Sequence, residues 1–157
     1  MPFDDLILAR AIHVLAIVHW IGGVAFVTLV ILPLARRRSY AEGLALFELV
    51  ERQFSAQVRF SIPIAGAAGF WMTWRMDLWS RFLDPHFWWM GAMLVVWTLF
   101  ALVVLVIEPL FEPRFERLAH ANPQAALERL ARMHVVLLGL SLVTVAGAVA
   151  GAHGFFF

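Results

Sequence analysis

Four long apolar stretches constrain the fold of this chain more than any other feature. They cover residues 6–34, 55–76, 86–110 and 132–152. A helix needs about 20 mainly apolar residues to cross a bilayer, and in lipid it must satisfy its own backbone polar groups. The sequence is 62% hydrophobic and 15% charged, whereas soluble domains carry about a quarter charged residues. We therefore predict an all-α protein, an antiparallel bundle of four transmembrane helices that forms one integral membrane domain over residues 1–157.

The connections between these stretches contain signals for helix boundaries. Apolar residues recur at helical spacing in the first connection: Leu44, Phe47, Val50 and Phe54. This spacing predicts an amphipathic cytoplasmic helix that runs into the second span, which Pro63 is expected to kink. The prolines of IEPLFEP, residues 107–113, are expected to end the third span. Asn122 is a good N-cap and Pro123 a good first residue for the fourth helix.

The distribution of arginine predicts the orientation. All twelve basic residues are arginine, and nine of them lie in the connections after the first and third spans or in the adjoining first turns of the next spans. Because positive residues favour the cytoplasmic side, we expect a multi-pass protein of the inner membrane of a bacterium, with both termini outside. Five tryptophans flank the outer loop at 77–85 and are expected to lie at the membrane interface: Trp71, Trp74, Trp79, Trp88 and Trp89.

The residue types that are missing exclude several kinds of site. The chain has no cysteine, which excludes disulfides, zinc–thiolate sites, iron–sulfur clusters and covalent c-type haem. It has no lysine either, so a cofactor must be held by histidine, methionine, carboxylates or packing. The net charge of +1 gives no indication of a nucleic-acid partner.

Histidines provide the strongest functional signal. The segment AIHVLAIVHWIGG, residues 11–23, places His13 and His19 within an apolar span. At 100° per residue they point about 120° apart, so they cannot both ligate one metal from a straight helix. An ionisable side chain inside the membrane indicates a functional site by default. The alternative for each is a neutral imidazole that is hydrogen-bonded to a neighbouring helix.

Other candidate ligands lie near the ends of the predicted spans. We expect His13, His86 and His153 to gather near the outer surface from three different helices, as in bundle cofactor sites. Met72 ends the second span on that side, and His134 opens the fourth span near the inner surface, where Arg59, Glu108 and Arg132 could join it. The glycine pair Gly22 and Gly23 predicts a groove beside His19, for a packed helix or the edge of a flat cofactor.

The first two spans resemble those of a known group of membrane proteins. ARAIHVLAIVHWIGGVAFV resembles the first helix of the CopD-like copper-resistance proteins and of the related HemJ-type protoporphyrinogen oxidases, with matches at His13, Trp20, Gly22 and Gly23. VRFSIPIAGAAGFWMTW is similar to their second helix at Arg59, Phe60 and Gly69. The HemJ-type proteins bind haem b and carry a lysine shortly after a histidine in the third helix. Here DPHFWWMGAM has His86 but no lysine.

We therefore predict a membrane protein that binds one or two b-type haems and transfers electrons to or from a quinone, a porphyrin or a redox partner protein. Candidate cofactor-binding residues are His13, His19, Trp20, Gly23, Arg59 and Met72. Candidate metal ligands are His13, His19, His86, His134 and His153. The alternatives are a HemJ-like oxidase of protoporphyrinogen IX, CopD-like copper binding or transport, and a structural subunit of a larger membrane complex. The chain could also form a homo-oligomer.

Overall fold

The computed structural model describes residues 4–155, and this part of the chain is helical apart from short turns. Its long helices are α1 (Asp5–Ala35), α2 (Tyr40–Arg75), α3 (88–121) and α4 (Pro123–Ala152). α3 is continuous and consists of Trp88–Leu102, a π-helical turn Val103–Ile107 and Glu108–Ala121. Two 3₁₀ turns, Trp79–Leu83 and Pro85–Phe87, connect α2 to α3. The all-helical prediction is therefore confirmed for the described residues.

Three segments are long and apolar enough to cross a membrane: Asp5–Ala35, Pro85–Phe111 and Pro123–Ala152. These segments confirm the prediction of membrane-spanning helices at a coarse level. α2 is longer than any of them, at 36 residues, but it is not among them. Its middle carries polar side chains, including Ser55, Gln57 and Arg59. The prediction that α2 is a further span stays a prediction.

Two π-helical turns allow α1 and α3 to pass through prolines. Val27–Ile31 lies just before Pro33, and Val103–Ile107 lies just before Pro109. Proline has no N–H, and its ring clashes with the carbonyl four residues earlier, so an α-helical turn cannot continue unchanged. The wider turn accommodates the ring and keeps the helix continuous. The third apolar span ends at Phe111, as expected, but the prolines do not end the helix, because α3 continues to Ala121.

Contacts show that neighbouring helices run in opposite directions. α1 meets α2 at Asp5–Arg75 near one end and at Ala35–Gly43 near the other. α2 meets α3 where the Trp97 indole N–H donates to the carbonyl of Ile62, at 2.8 Å. One apolar core unites all four helices: Trp20, Val24, Val58, Ile62, Val96, Phe100, Val104 and Leu138.

The two ends of this bundle differ in composition. One end, where α1 and α3 begin, carries the exposed Trp71, Trp74, Trp79 and Trp88, and we call it the tryptophan-rich end. Trp89 was expected among them but is buried against Gly151 of α4. The opposite, arginine-rich end carries Arg36, Arg37, Arg38, Arg129 and Arg132. A second apolar cluster lies there: Val27, Leu32, Ala35, Leu44, Phe47, Leu127 and Ala131.

Side-chain caps fix two helix starts at the arginine-rich end. Asn122 accepts from the backbone N–H of Ala125, which confirms the predicted start of α4. Ser39 and Glu42 form a capping box at the start of α2. The hydrogen bonds from the Ser39 hydroxyl and backbone N–H hold the pKa of the Glu42 carboxyl below its usual value. α2 therefore begins outside its apolar part, and it runs without a break through Pro63.

Gly66 permits a close approach of α2 and α3, and we predict that Gly66→Ala destabilises the fold. A Cβ at this position would lie 2.5 Å from Cζ2 of Trp97, whose indole N–H bonds Ile62. Overpacking of this kind costs about 1–3 kcal/mol. The measurement is thermal unfolding in detergent. Gly139→Ala is the control, because no atom lies within 4 Å of its added Cβ. Equal stability of the two variants would contradict the prediction.

Candidate functional site

His13 lies on α1 with its ring against α2. Its Nδ1 is 2.8 Å from the carbonyl oxygen of Ala65. A carbonyl can only accept, so Nδ1 carries the proton and Nε2 carries the lone pair. Nε2 has no hydrogen-bond partner among the described residues. A carbonyl that fixes one ring nitrogen and leaves the other available is the arrangement that orients metal-binding histidines.

The face of α2 beneath this ring is built from small residues. Ala65 and Ala68 are buried, and a Cβ on Gly69 would lie 3.1 Å from Cε1 of His13. Any larger side chain at Gly69 would displace the imidazole. Met72 is half-buried and lies one turn further along the same side of α2, toward the tryptophan-rich end.

His19 bridges α1 to α2 through both ring nitrogens. Nε2 lies 3.2 Å from Oε1 of Gln57, and Nδ1 lies 3.2 Å from Oγ of Ser61. Because Oε1 only accepts, Nε2 donates and Nδ1 accepts from the Ser61 hydroxyl. The Gln57 amide nitrogen in turn donates to the backbone carbonyl of Gln53. This geometry matches the helix-bridging alternative for His19, and metal ligation would break one of these bonds.

The groove expected beside Gly23 is filled by a side chain. A Cβ on Gly23 would overlap the ring of Phe54, whereas Gly22 faces open space. Of the two occupants expected beside Gly23, a packed helix or a cofactor edge, the structure shows the packed helix. A groove of about 300 Å³ remains on this side, lined by apolar side chains of both helices together with Gln53 and Gln57.

Trp20 is part of the apolar core. It is 3% exposed and packs edge-to-face on Phe100, with 4.9 Å between ring centroids. Its indole N–H has no hydrogen-bond partner among the described residues. Buried tryptophan usually finds a partner for this group. Trp20, predicted to bind a cofactor, therefore lies in the packed core, and its indole N–H is the one polar group it could donate.

His86 lies in the turn before α3 and is bound by its own neighbour. Its ring Nδ1 and its backbone N–H both lie 2.9 Å from the Asp84 carboxylate. The backbone N–H of His86 is the main cause that holds the pKa of Asp84 below its usual value. The His86 side chain is 72% exposed, so it faces away from the core.

The two histidines of α4 are bound within their own helix. His134 Nδ1 donates to the carbonyl of Leu130, and its ring meets the edge of Phe47. His153 Nδ1 donates to the carbonyl of Val149. Among the side chains that the structure describes, no three His, Asp or Glu residues are placed to hold a metal ion. The predicted gathering of His13, His86 and His153 into one group is therefore not formed.

A polar layer joins α2 to α3 toward the arginine-rich end. The Ser55 hydroxyl donates to the Glu108 carboxylate, and Nη2 of Arg59 lies 4.0 Å from the same carboxylate. One turn further out, Nη2 of Arg52 lies 3.2 Å from Oε1 of Glu116. Of the residues expected to form a polar cluster with His134, Arg59 and Glu108 thus lie together.

His134 and Arg132 form no hydrogen bond with Ser55, Arg59 or Glu108. Their hydrogen bonds go to carbonyls of their own helix, at Leu130 and Glu128. Arg59, a candidate cofactor-binding residue, therefore has Glu108 as its partner instead.

The sequence interpretation missed three polar side chains that the structure brings into use. Gln57 and Ser61 hold His19, and Trp97 binds the α2 backbone. Gln57 and Ser61 are four residues apart on one helix, a spacing that places both on one face. Two polar residues on one face of an apolar helix could therefore have been predicted as hydrogen-bond partners of His19.

No protein-family model, no curated protein and no solved structure matches this chain. Functional interpretation therefore depends on the geometry of its own residues.

We predict that His19→Gln keeps more stability than His19→Ala. Glutamine can still donate and accept toward Gln57 and Ser61, whereas alanine leaves both without their partner. Hydrogen bonds between membrane helices contribute about 0.6 kcal/mol each, so His19→Ala should lose about 1 kcal/mol. Thermal unfolding in detergent measures the difference. Val18→Ala is the control for a side chain that is 62% exposed on the same helix. A glutamine variant as unstable as the alanine variant would refute the bridging role.

Proposed function

We propose that the chain crosses the bilayer four times, with residues 55–75 of α2 as the second span. The Ser55–Glu108 contact and the Arg75–Asp5 ion pair bound this segment. They are 20 residues apart along α2 (75 − 55), or about 30 Å at 1.5 Å per residue, which is the thickness of the hydrocarbon core. The more polar first part of α2 lies beside the second apolar cluster, beyond this span.

The proposed orientation places the arginine-rich end in the cytoplasm of a bacterium and both termini outside. The exposed Trp71, Trp74 and Trp79 support a membrane interface near the Asp5–Arg75 pair, at one end of the proposed span. The clustered arginines at the opposite end agree with the positive-inside rule.

We further propose that the protein binds one haem b, with His13 as an axial ligand. The observation that carries this proposal is the Nδ1–Ala65 hydrogen bond, which fixes the ring and leaves the Nε2 lone pair available. Haem supplies one-electron chemistry when bound, at a potential set by its ligands and burial. His13 holds the iron position, and Gly69 keeps space for the ring.

Among the expected second ligands, Met72 fits best. It lies on the side of α2 that His13 contacts, whereas His86 and His153 are exposed. One haem is favoured over two, because both ring nitrogens of His19 already bind Ser61 and Gln57. A copper site of several clustered ligands is less favoured, because the described His, Asp and Glu side chains form no group of three that could hold a metal ion.

Electron transfer with a quinone or a redox partner protein is the activity we propose for such a haem. HemJ-like oxidation of a porphyrinogen is a second use of the same cofactor. The histidine bridge of His19 favours, as a second function, a subunit whose histidines only hold helices together.

The test is the reduced-minus-oxidised visible spectrum of the purified protein. Sharp α and β bands with a Soret shift support the haem. A colourless protein that retains copper would favour the copper alternative, and a protein with neither would favour the structural subunit.

A further inference from the structure

A groove at the arginine-rich end lies where three helix ends meet. It has a volume of about 520 Å³ and lies between the end of α1 and the starts of α2 and α4. Its lining residues are Arg36, Tyr40, Leu127, Glu128 and Arg132. Leu127 is 1% exposed and belongs to the second apolar cluster, so the groove has a rigid apolar floor and a polar rim.

The two arginines on the rim have no acidic partner among the described residues. Arg36 makes no side-chain hydrogen bond or ion pair with any of them, and Arg132 donates only to the backbone carbonyl of Glu128, at 3.4 Å. The Glu128 carboxylate accepts from the amide of Gln124. Both guanidinium groups thus retain donors for a further anion.

Three arginines elsewhere in the bundle have acidic partners. Arg52, Arg59 and Arg75 are each paired with a carboxylate. Arg36 and Arg132 have no such partner among the described residues, and they line a common cavity.

We propose that this groove binds the phosphate of an anionic phospholipid of the inner leaflet. Arg36 and Arg132 approach the phosphate from α1 and α4, and the Tyr40 hydroxyl supplies another donor. Guanidinium forms paired hydrogen bonds with phosphate oxygens, and basic pockets between helices at the cytoplasmic surface bind such headgroups. The inference rests on the proposed topology, which puts the groove at headgroup level, and is independent of the haem.

The experiment uses the full chain in a neutral detergent and titrates it with phosphatidylglycerol or phosphatidylcholine. When the free phosphatidylglycerol concentration is about 100 times its Kd, we expect the lipid to raise the Tm by about 5 °C. Phosphatidylcholine should have little effect. The double variant Arg36→Gln/Arg132→Gln should raise the Kd at least about tenfold, since the loss of a single bond from a charged donor already weakens binding about tenfold.

The matched control is Arg114→Gln/Arg117→Gln, which removes two exposed arginines of α3 at the same end. It should leave the Kd within about twofold, because surface charge pairs contribute little. An equal loss in the control would overturn the groove in favour of general surface charge. An equal effect of phosphatidylcholine would exclude recognition of the anionic headgroup.

Two further measurements keep the proposal falsifiable. Inorganic phosphate alone is expected not to reproduce the stabilisation; if it does, the ligand is a free anion and the lipid assignment is wrong. If the double variant does not fold, Arg36→Lys keeps the charge but loses paired bonding, and it should still weaken binding. Unchanged lipid binding in Arg36→Lys and in Arg132→Gln would overturn the proposal. Whether the proposed topology is wrong is tested separately, by labelling introduced cysteines from each side of the membrane.

Discussion

His13→Ala is expected to reduce the haem content of the purified protein by more than about tenfold. Even the hydrogen-bond partners of metal ligands are worth 10- to 100-fold in affinity, and the ligand itself is worth at least as much. The alanine removes Nε2, the one ring nitrogen of this imidazole without a partner among the described residues. Haem stoichiometry from the pyridine haemochrome spectrum measures the loss.

The matched control is His120→Ala. His120 is exposed and pairs with Glu48, at 3.1 Å, at the arginine-rich end and away from Ala65. The haem spectrum of the His120→Ala variant should equal that of the unchanged protein. Full haem retention in His13→Ala would show that the bond to Ala65 serves only to pack α1 on α2.

Gly69→Val separates ligation from packing. A valine there would push the His13 ring off the carbonyl of Ala65, because even one Cβ comes within 3.1 Å of Cε1. If His13 ligates iron, this variant should shift the haem spectrum as well as the stability. If His13 only packs, stability alone should change.

Local signals in the sequence were sufficient for most of the helix framework. Asn122 and Pro123 gave the start of α4 because capping depends on a few neighbouring residues. The prolines mark the end of the third apolar span but not the end of the helix, because a π-helical turn carries α3 past Pro109. Trp89 was placed at the membrane interface, but its burial depends on Gly151 in another helix. Contacts between distant segments follow from the packing of whole helices.

The histidine environments depend on the same packing. Sequence spacing showed that His13 and His19 point apart, yet it could not decide what each one meets. The alignment of α1 with α2 places His19 at Gln57 and Ser61 and His13 at Ala65. The same alignment puts Phe54 into the space beside Gly23. A shift of one helical turn between these helices would exchange all of these partners.

Whether α2 crosses the membrane decides on which sides the loops at its two ends lie. If residues 55–75 cross, the loop at 77–84 lies outside and the connection at 36–39 lies in the cytoplasm. The chain has no cysteine, so a single introduced thiol reports its own location. Leu83, which is 90% exposed between α2 and α3, is the outer probe, and Leu118, 63% exposed near the end of α3, is the inner one.

We expect a membrane-impermeant maleimide to label Leu83→Cys in intact cells, and to label Leu118→Cys and Ala41→Cys only after the membrane is opened. Ala41 is exposed at the start of α2, so it reports the end of α2 opposite to Leu83. A bilayer stops a charged reagent completely, which makes the contrast complete rather than graded. If Ala41→Cys and Leu83→Cys are labelled from the same side, α2 does not cross, and the headgroup-level position of the groove at Arg36 and Arg132 is lost with it. If all three are reversed, α2 crosses in the opposite orientation, and the arginine-rich end faces outward.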